Sequence, residues 1–310
     1  MFINPKHLVQ FVEVVECGSL TEAATKLGLT QPALSRNMKE LEAQMGIPLL
    51  LRGKTGVTLT ELGMRAFPYA QSIHTTLGRL SSEAETWDKG QVGKLRIGAG
   101  PFPASILPKI LSDFLEHRPG VFASLEVGGV LALSKKLQNG ELDLVVGPTG
   151  LESSATGITA RKLFSGRLAL FAAPTHAIAR KKKITAEDLS SSRWLGTPPD
   201  SVMRRQVRAN HIALGMPRVN FNIEISSIES AVDVLQVGDH LAIMPEPPMR
   251  RAVAEGKVME LPVKLPIAQW PIVISHPELS ILPPQVMDFI DALEAAFRDE
   301  KTADPSQARD

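Results

Sequence analysis

A chain of 310 residues exceeds one compact core of ordinary size and points to two or three domains. Apolar residues at 44% and charged residues at 22% lie near globular averages, which excludes wholesale disorder and a membrane-embedded protein. A net charge of +1 neither demands nor excludes nucleic acid, because phosphate contact depends on where the charge sits.

The first residues hold a single lysine and an apolar stretch broken by Gln10, Glu13 and Glu16. They predict no signal peptide and no membrane span, hence a cytoplasmic protein. Leu8, Phe11, Val12 and Val15 share one face of a first helix, which Pro5 can open. Cys17, the only cysteine, has no neighbouring base to stabilise a thiolate and reads as structural rather than redox-active. Ser19 and Glu22 form a capping-box pattern for a second helix, with Leu20, Ala23, Ala24 and Leu27 inward. Gly28 ends that helix, Thr30 caps a third, and Pro32 falls in its first turn. Leu34, Met38, Leu41 and Met45 form the buried stripe of the third helix, with Pro32, Ser35, Arg36 and Lys39 opposite.

The outward face suits a DNA groove. Gln31 can pair with adenine edges, Arg36 with guanine or phosphate, and Ser35 with either, while the helix N-terminus attracts phosphate. Lys26, Arg36, Lys39, Arg52 and Lys54 outnumber Glu40 and Glu42 in this stretch, a modest basic excess. Leu49 to Thr60 reads as two short strands around a Gly-Lys-Thr-Gly turn, a wing that sets Arg52 and Lys54 beside the DNA backbone. A plain three-helix bundle with its polar face in water explains the helix pattern equally well, so residue identities must decide.

The ordered set Ala23-Ala24, Leu27, Thr30-Gln31-Pro32-Ala33-Leu34-Ser35, Leu41-Glu42, Gly46, Leu49-Leu50, Arg52, Leu59-Thr60 and Gly63 closely resembles the LysR-type transcriptional regulators. Leu50 departs from that family, which more often carries phenylalanine there. The resemblance implies an α+β multidomain protein: a winged helix-turn-helix over 1–60, a linker and dimerisation helix over 61–92, and an effector-binding domain over 93–300. It also implies an interrupted palindromic operator and a homotetramer, with RNA polymerase a candidate partner.

Thr60 can cap a long helix in which Gly63, Ala66, Ala70, Ile73, Leu77, Leu80, Ala84 and Trp87 alternate at spacings of three and four. Gln71, His74, Thr75, Arg79 and Glu83 read as polar flanks, leaving one narrow apolar seam for a partner helix of a homodimer. Pro68 predicts a bend. Dimerisation would place two reading helices on two half-sites.

After the linker Lys89 to Gly93, short apolar strands alternate with amphipathic helices. LRIGAG, ASLEVGG and LDLVVGP read as strands, with helices near Ala104 to His117 and Val130 to Asn139. A second set runs through RLALFAAP, a helix over Ser201 to Leu214, FNIEIS, a helix over Ser227 to Val237, LAIMPE and WPIVIS. A last helix spans about Pro284 to Arg298, and 301–310 reads as a disordered tail. The pattern predicts two Rossmann-like subdomains, about 93–165 with 270–300 and about 166–269. Gly166 to Ala173 and Leu265 to Ile274 would form the hinge, an arrangement resembling periplasmic binding proteins.

In open α/β sheets ligands gather beside the carboxyl ends of the strands. Those ends supply Gly100, Pro101, Phe102, Gly128, Gly129, Gly147, Thr149, Thr197, Ser201, Ser226 and Ser227 as candidate effector contacts. Hydroxyl and backbone donors dominate, which points to a small organic anion with an apolar body against Phe102; turn chemistry alone would also explain the glycines. No cofactor, metal site or catalytic set is expected: the histidines lack metal-ligand spacing, and Pro101 and Pro103 break the dinucleotide pattern begun at Gly98. Arg180 to Lys183 reads as a solvated charge run rather than a second nucleic-acid patch. The competing readings are a small-molecule binding protein with an N-terminal oligomerisation module, and an enzyme.

Overall fold

The computed structural model describes residues 3–53, 56–88, 93–149, 158–278 and 282–303. Helices α1 (Pro5–Cys17), α2 (Leu20–Lys26) and α3 (Gln31–Met45) enclose a core of Phe11, Val12, Val14, Leu34, Met38 and Leu41. The expected caps are in place: Ser19 Oγ accepts from the Glu22 N–H and Thr30 Oγ1 from the Ala33 N–H. Val14 is fully buried although it lies off the stripe expected for α1, because α1 packs against α4 as well as α2 and α3.

Strands β1 (Leu50–Gly53) and β2 (Gly56–Leu59) pair antiparallel, Leu50 opposite Leu59, and form the wing. Helix α4 (Glu61–Asp88) follows directly and runs on through Pro68. Thr60 ties it to the wing, its hydroxyl donating to the Pro48 carbonyl while its oxygen accepts from the Gly63 N–H. A Cβ at Gly63 would lie 2.1 Å from the Leu49 carbonyl oxygen, so only glycine permits this approach.

The apolar stripe of α4 divides in two. Ala70 is buried, and Leu62, Ala66 and Phe67 pack with it on the N-terminal core. Ile73, Leu77 and Leu80 are exposed, as are Met64 and Tyr69; the Trp87 side chain lies outside the described residues. The reading of Gln71, Thr75 and Arg79 as solvent-facing flanks is corrected, since all three are buried. Their four-residue spacing puts them on one face, and the C-terminal domain folds back over its Thr75 and Arg79 end. Thr75 donates to the Gln138 carbonyl at 2.5 Å, and Arg79 Nη2 lies 3.8 Å from Asp143.

The first half of the C-terminal domain comprises β3 (Gly93–Ala99), α5 (Leu107–Glu116), β4 (Val121–Val127), α6 (Val130–Gln138) and β5 (Leu144–Pro148). The chain crosses on β6 (Ile158–Ala172) into α7 (Ala186–Ser190), β7 (Arg193–Gly196), α8 (Val202–Ala213), β8 (Phe221–Glu224), α9 (Ile228–Val237) and β9 (His240–Pro245). It continues through α10 (Glu246–Ala254) and β10 (Met259–Glu260), returns on β11 (Gln269–Pro277) and ends in α11 (Pro284–Ala303). The sheet order is β4-β3-β5-β11-β6-β9-β7-β8, with β10 on β6. Each half is parallel within itself, β4-β3-β5 and β9-β7-β8, and the antiparallel pair β6 and β11 joins them.

The predicted strands and helices of both halves are present. The helix expected from Ala104 opens instead as a 3₁₀ turn over Pro103–Ser105, with α5 starting at Leu107. Strand β6 begins well before Gly166, and β7, β10, α7 and α10 lie in stretches without a predicted element. Helix α11 passes Arg298 and reaches Ala303, there being no breaker before Pro305; residues 304–310 lie outside the described residues.

Candidate DNA-reading face and effector cleft

Helical periodicity turns Gln31, Pro32, Arg36 and Lys39 outward, all four exposed, while Leu34, Met38 and Leu41 are buried behind them. Ser35 is half-buried, because Arg52 Nη1 on β1 donates to its hydroxyl at 2.8 Å. The wing therefore braces the reading helix through two residues that sequence alone assigned separately to DNA. Glu42 strengthens the same junction: its Oε1 accepts from the Leu49 and Leu50 N–H groups at 2.9 and 3.0 Å. From the other side, the Asn37 amide donates to Gln10 on α1 at 2.9 Å. Lys26, counted in the basic excess, is exposed and paired with Glu13 at 2.5 Å, so its charge is already matched within the domain. Lys54 lies outside the described residues.

The candidate effector residues sit where parallel strands end and helices begin. The Gly100 N–H donates to Val146 at 2.9 Å and the Gly128 N–H to Ala99 at 3.0 Å, so the ends of β3, β4 and β5 stand together. Gly147 is in β5, with Thr149 just beyond it. Gly129 is the N-cap of α6 with no side-chain cap, leaving first-turn N–H groups unclaimed by any side chain. Pro101 is exposed; Phe102 is 4% exposed, edge-on to Phe164 at 5.8 Å and packed on Gly166. Phe102 thus belongs to the core beneath the strand ends, and little of its ring is left for a ligand.

In the second half, the Thr197 and Ser201 hydroxyls are 3.0 Å apart, and Ser201 caps α8. Ser227 caps α9 and donates to Glu229 at 2.8 Å, while Ser226 is exposed. The Ile225 N–H donates to the Gly196 carbonyl, which brings the ends of β7 and β8 together. Each half therefore gathers its own candidates around helix N-termini.

Residues 88–298 match the family profile described as LysR substrate binding domain, and residues 5–64 match the bacterial regulatory helix-turn-helix protein of the lysR family. The chain belongs to the LysR family. It is a LysR-type DNA-binding transcriptional regulator with an effector-binding domain, and not an enzyme. The regulator PcaQ of Agrobacterium fabrum is 28% identical over 272 residues, 87% of each chain. The SDS degradation transcriptional activation protein of a Pseudomonas species is 35% identical over 142 residues, and this match spans only 46% of each chain. Among solved structures, CrgA of Neisseria meningitidis has a TM-score of 0.57 at 24% identity, covering 96% of this chain and 99% of that one. Full-length CbnR in complex with its target DNA has a TM-score of 0.54 at 21% identity, covering 95% of this chain and 100% of that one. These structural likenesses show the fold.

Among the described residues of this LysR-type chain, no cluster of His, Cys, Asp or Glu could hold a metal. No described helix is long and apolar enough to cross a membrane. Burial pushes the Cys17 thiol up, away from thiolate chemistry.

Sequence reasoning passed over His211 on α8. It is 1% exposed, edge-on to Trp194 and beside Phe221 and Arg204. Burial, and then the Arg204 charge, push it down to about 4. In the unfolded chain an imidazole titrates near ~6.5, so between those values only the unfolded state takes up the proton. Stability is therefore full above about pH 6.5 and falls as pH drops toward 4. His74 and His276 are lowered by burial as well and add in the same direction. Urea midpoints of full-length protein at pH 7 and pH 5 are expected to drop more for wild type than for His211→Phe; equal drops would remove His211 from the acid response.

Proposed function

We propose that two copies of the chain read two half-sites of an interrupted palindrome, each inserting α3 into a major groove with its wing on the adjacent backbone. The carrying observation is the single exposed face of Gln31, Pro32, Arg36 and Lys39 with Arg52 fixed beside it through Ser35. Gln31, Ser35 and Arg36 set sequence preference, and Lys39, Arg52 and Lys54 contact phosphates. Residues 1–60, 61–92 and 93–300 act as the DNA-binding, linker and effector units in the cytoplasm. The exposed Ile73, Leu77 and Leu80 of α4 support pairing of two linker helices. Effector domains supply the second set of contacts in a homotetramer, which presents itself to RNA polymerase at the promoter.

The effector binds at the strand ends between the two halves, at Gly100, Pro101, Gly128, Gly129, Gly147, Thr149, Thr197, Ser201, Ser226 and Ser227, over the floor formed by Phe102. Three helix N-termini and hydroxyl donors support a small organic anion there. It acts by binding one arrangement of the DNA-binding units more tightly than another.

An electrophoretic mobility shift with DNA from immediately upstream of the chain's own gene tests the reading. Arg36→Ala is expected to weaken specific binding by about 1–3 kcal/mol, roughly 5- to 150-fold, as for loss of a bidentate base contact. Gln31→Ala with Arg36→Ala should abolish the specific shift and leave salt-sensitive, nonspecific binding. Operator affinity unchanged in the double variant would rule out this face as the reader.

A further inference from the structure

The second half of the effector domain contains a cavity of about 350 Å³ between α8 and the segment leading into β8. None of the residues proposed for the effector cleft lines it. Arg204, Arg208 and His211 stand four and three residues apart on α8 and so share one face, and Met216, Arg218 and Phe221 form the opposing wall. The volume suits a small organic molecule.

The charge of this cavity is one-sided: Arg204, Arg208 and Arg218 line it with no acidic side chain among the lining residues. Arg208 and Arg218 are exposed, and among the described residues neither has an ion-pair partner. Arg204 is held in place. Its Nη2 donates to Glu224 on β8, and its guanidinium sits 3.8 Å from the Phe221 ring centroid. It also fills the space where a Cβ on Gly196 would lie, 2.0 Å from Nη1. That Nη1 is buried without a hydrogen-bond partner among the described residues.

His211 is buried deeper still, and neither of its ring nitrogens is hydrogen-bonded among the described residues. A neutral imidazole carries one donor and one acceptor, and leaving both idle away from water is costly, so such groups normally meet a partner. The Arg204 Nη1 and both imidazole nitrogens are sealed from solvent, so Arg204 attracts an anion in the cavity through its charge rather than by donating from that edge. The arginine forks of the exposed Arg208 and Arg218 suit the oxygens of a phosphate or carboxylate.

We propose that this cavity is a second ligand site of the effector domain, taking an organic dianion such as a phosphate monoester, with its apolar body against Phe221 and Met216. Three guanidiniums, one already paired with Glu224, favour a double over a single negative charge. The site communicates with the cleft through one helical turn, because the Arg204 N–H donates at 3.0 Å to the Ser201 hydroxyl that caps α8. A dianion here would hold that turn in place and so bias effector binding at Thr197 and Ser201, at that same end of the helix.

Phenylglyoxal modification of the full-length protein, read residue by residue by mass spectrometry, tests this directly. Phenyl phosphate at about ten times its Kd is expected to slow modification of Arg208 and Arg218 about tenfold, in line with their occupancy. Arg205, exposed on the same helix but outside the cavity lining, should react at an unchanged rate. Inorganic phosphate should protect more weakly and phenol not at all. Equal labelling of Arg208 and Arg218 with and without phenyl phosphate would overturn the site, as would equal protection by phenol. Inorganic phosphate protecting as well as phenyl phosphate would overturn the apolar half of the proposal. Arg218→Ala, a change at an exposed position, should reduce the protection of Arg208; undiminished protection would count against a shared anion.

Discussion

Asp143→Ala is expected to destabilise the effector domain by about 3–5 kcal/mol, the cost of breaking a buried ion pair from one side. Asp143 is 2% exposed, at the start of the run into β5. Its carboxylate accepts from Arg96 three times: from the backbone N–H at 2.8 Å, from Nη2 at 2.7 Å and from Nε at 3.2 Å. Arg79 of α4 approaches the same carboxylate to 3.8 Å, and the arginine side chains are only 9% and 13% exposed. Removing the carboxylate leaves two guanidiniums facing each other with little water to screen them. Asp143→Asn keeps the shape and one acceptor oxygen but not the charge, so it should fall between alanine and wild type. Tryptophan-monitored urea unfolding of full-length protein checks this, because Trp194 and Trp270 both lie in the effector domain. A change below about 1 kcal/mol for alanine would demote the carboxylate to an ordinary surface partner.

The cluster also has a mechanical consequence. Arg96 is on β3 and Arg79 on the linker helix, so Asp143 joins the effector domain to α4 beside the Thr75 contact with Gln138. Arg79→Met removes that tie while leaving Asp143 and Arg96 paired. It should therefore cost less stability than Asp143→Ala while loosening α4 from the domain. On the proposed reading, a change at the strand ends that shifts β5 would reach α4 at this point.

Much of the N-terminal unit was legible because its signals are local: caps at Ser19 and Thr30, the stripe of Leu34, Met38 and Leu41, and the glycine turn of the wing. The outward face of α3 follows from the same period. What was hidden depended on partners distant in sequence. Gln71, Thr75 and Arg79 are polar and so read as solvated, yet all three are buried, Thr75 and Arg79 against the effector domain. Arg52 and Ser35 looked like independent DNA contacts because their hydrogen bond needs the wing's register. Phe102 reads as a ligand platform until Phe164 and Gly166, arriving on β6, cover it. Strand β7 is short and lies between a serine run and a proline pair, so no periodicity marked it. The face shared by Arg204, Arg208 and His211 was countable, but nothing local showed that Phe221 and Met216 would close a cavity over it.

Glu42→Ala is expected to cost the DNA-binding unit about 3 kcal/mol, as two hydrogen bonds to a charged acceptor are lost together. The Leu49 and Leu50 side chains are 1% and 6% exposed, so their N–H groups have little access to water as a substitute partner. The β1–β2 ladder and the Thr60 contact with Pro48 would still hold the wing's shape, but not its distance from α3. Arg52 would then lose its seat on Ser35, and with it the phosphate contact proposed for the wing. Operator affinity should therefore fall together with the salt dependence, the slope of log K against log salt shrinking by about 1. Glu42→Gln, which keeps an acceptor oxygen without the charge, should recover part of both. Thermal unfolding followed by helical circular dichroism gives the stability, and fluorescence anisotropy over a salt series gives the slope. A destabilised variant with an unchanged slope would place Arg52 off the phosphate backbone, and the wing would then serve only to brace the reading helix.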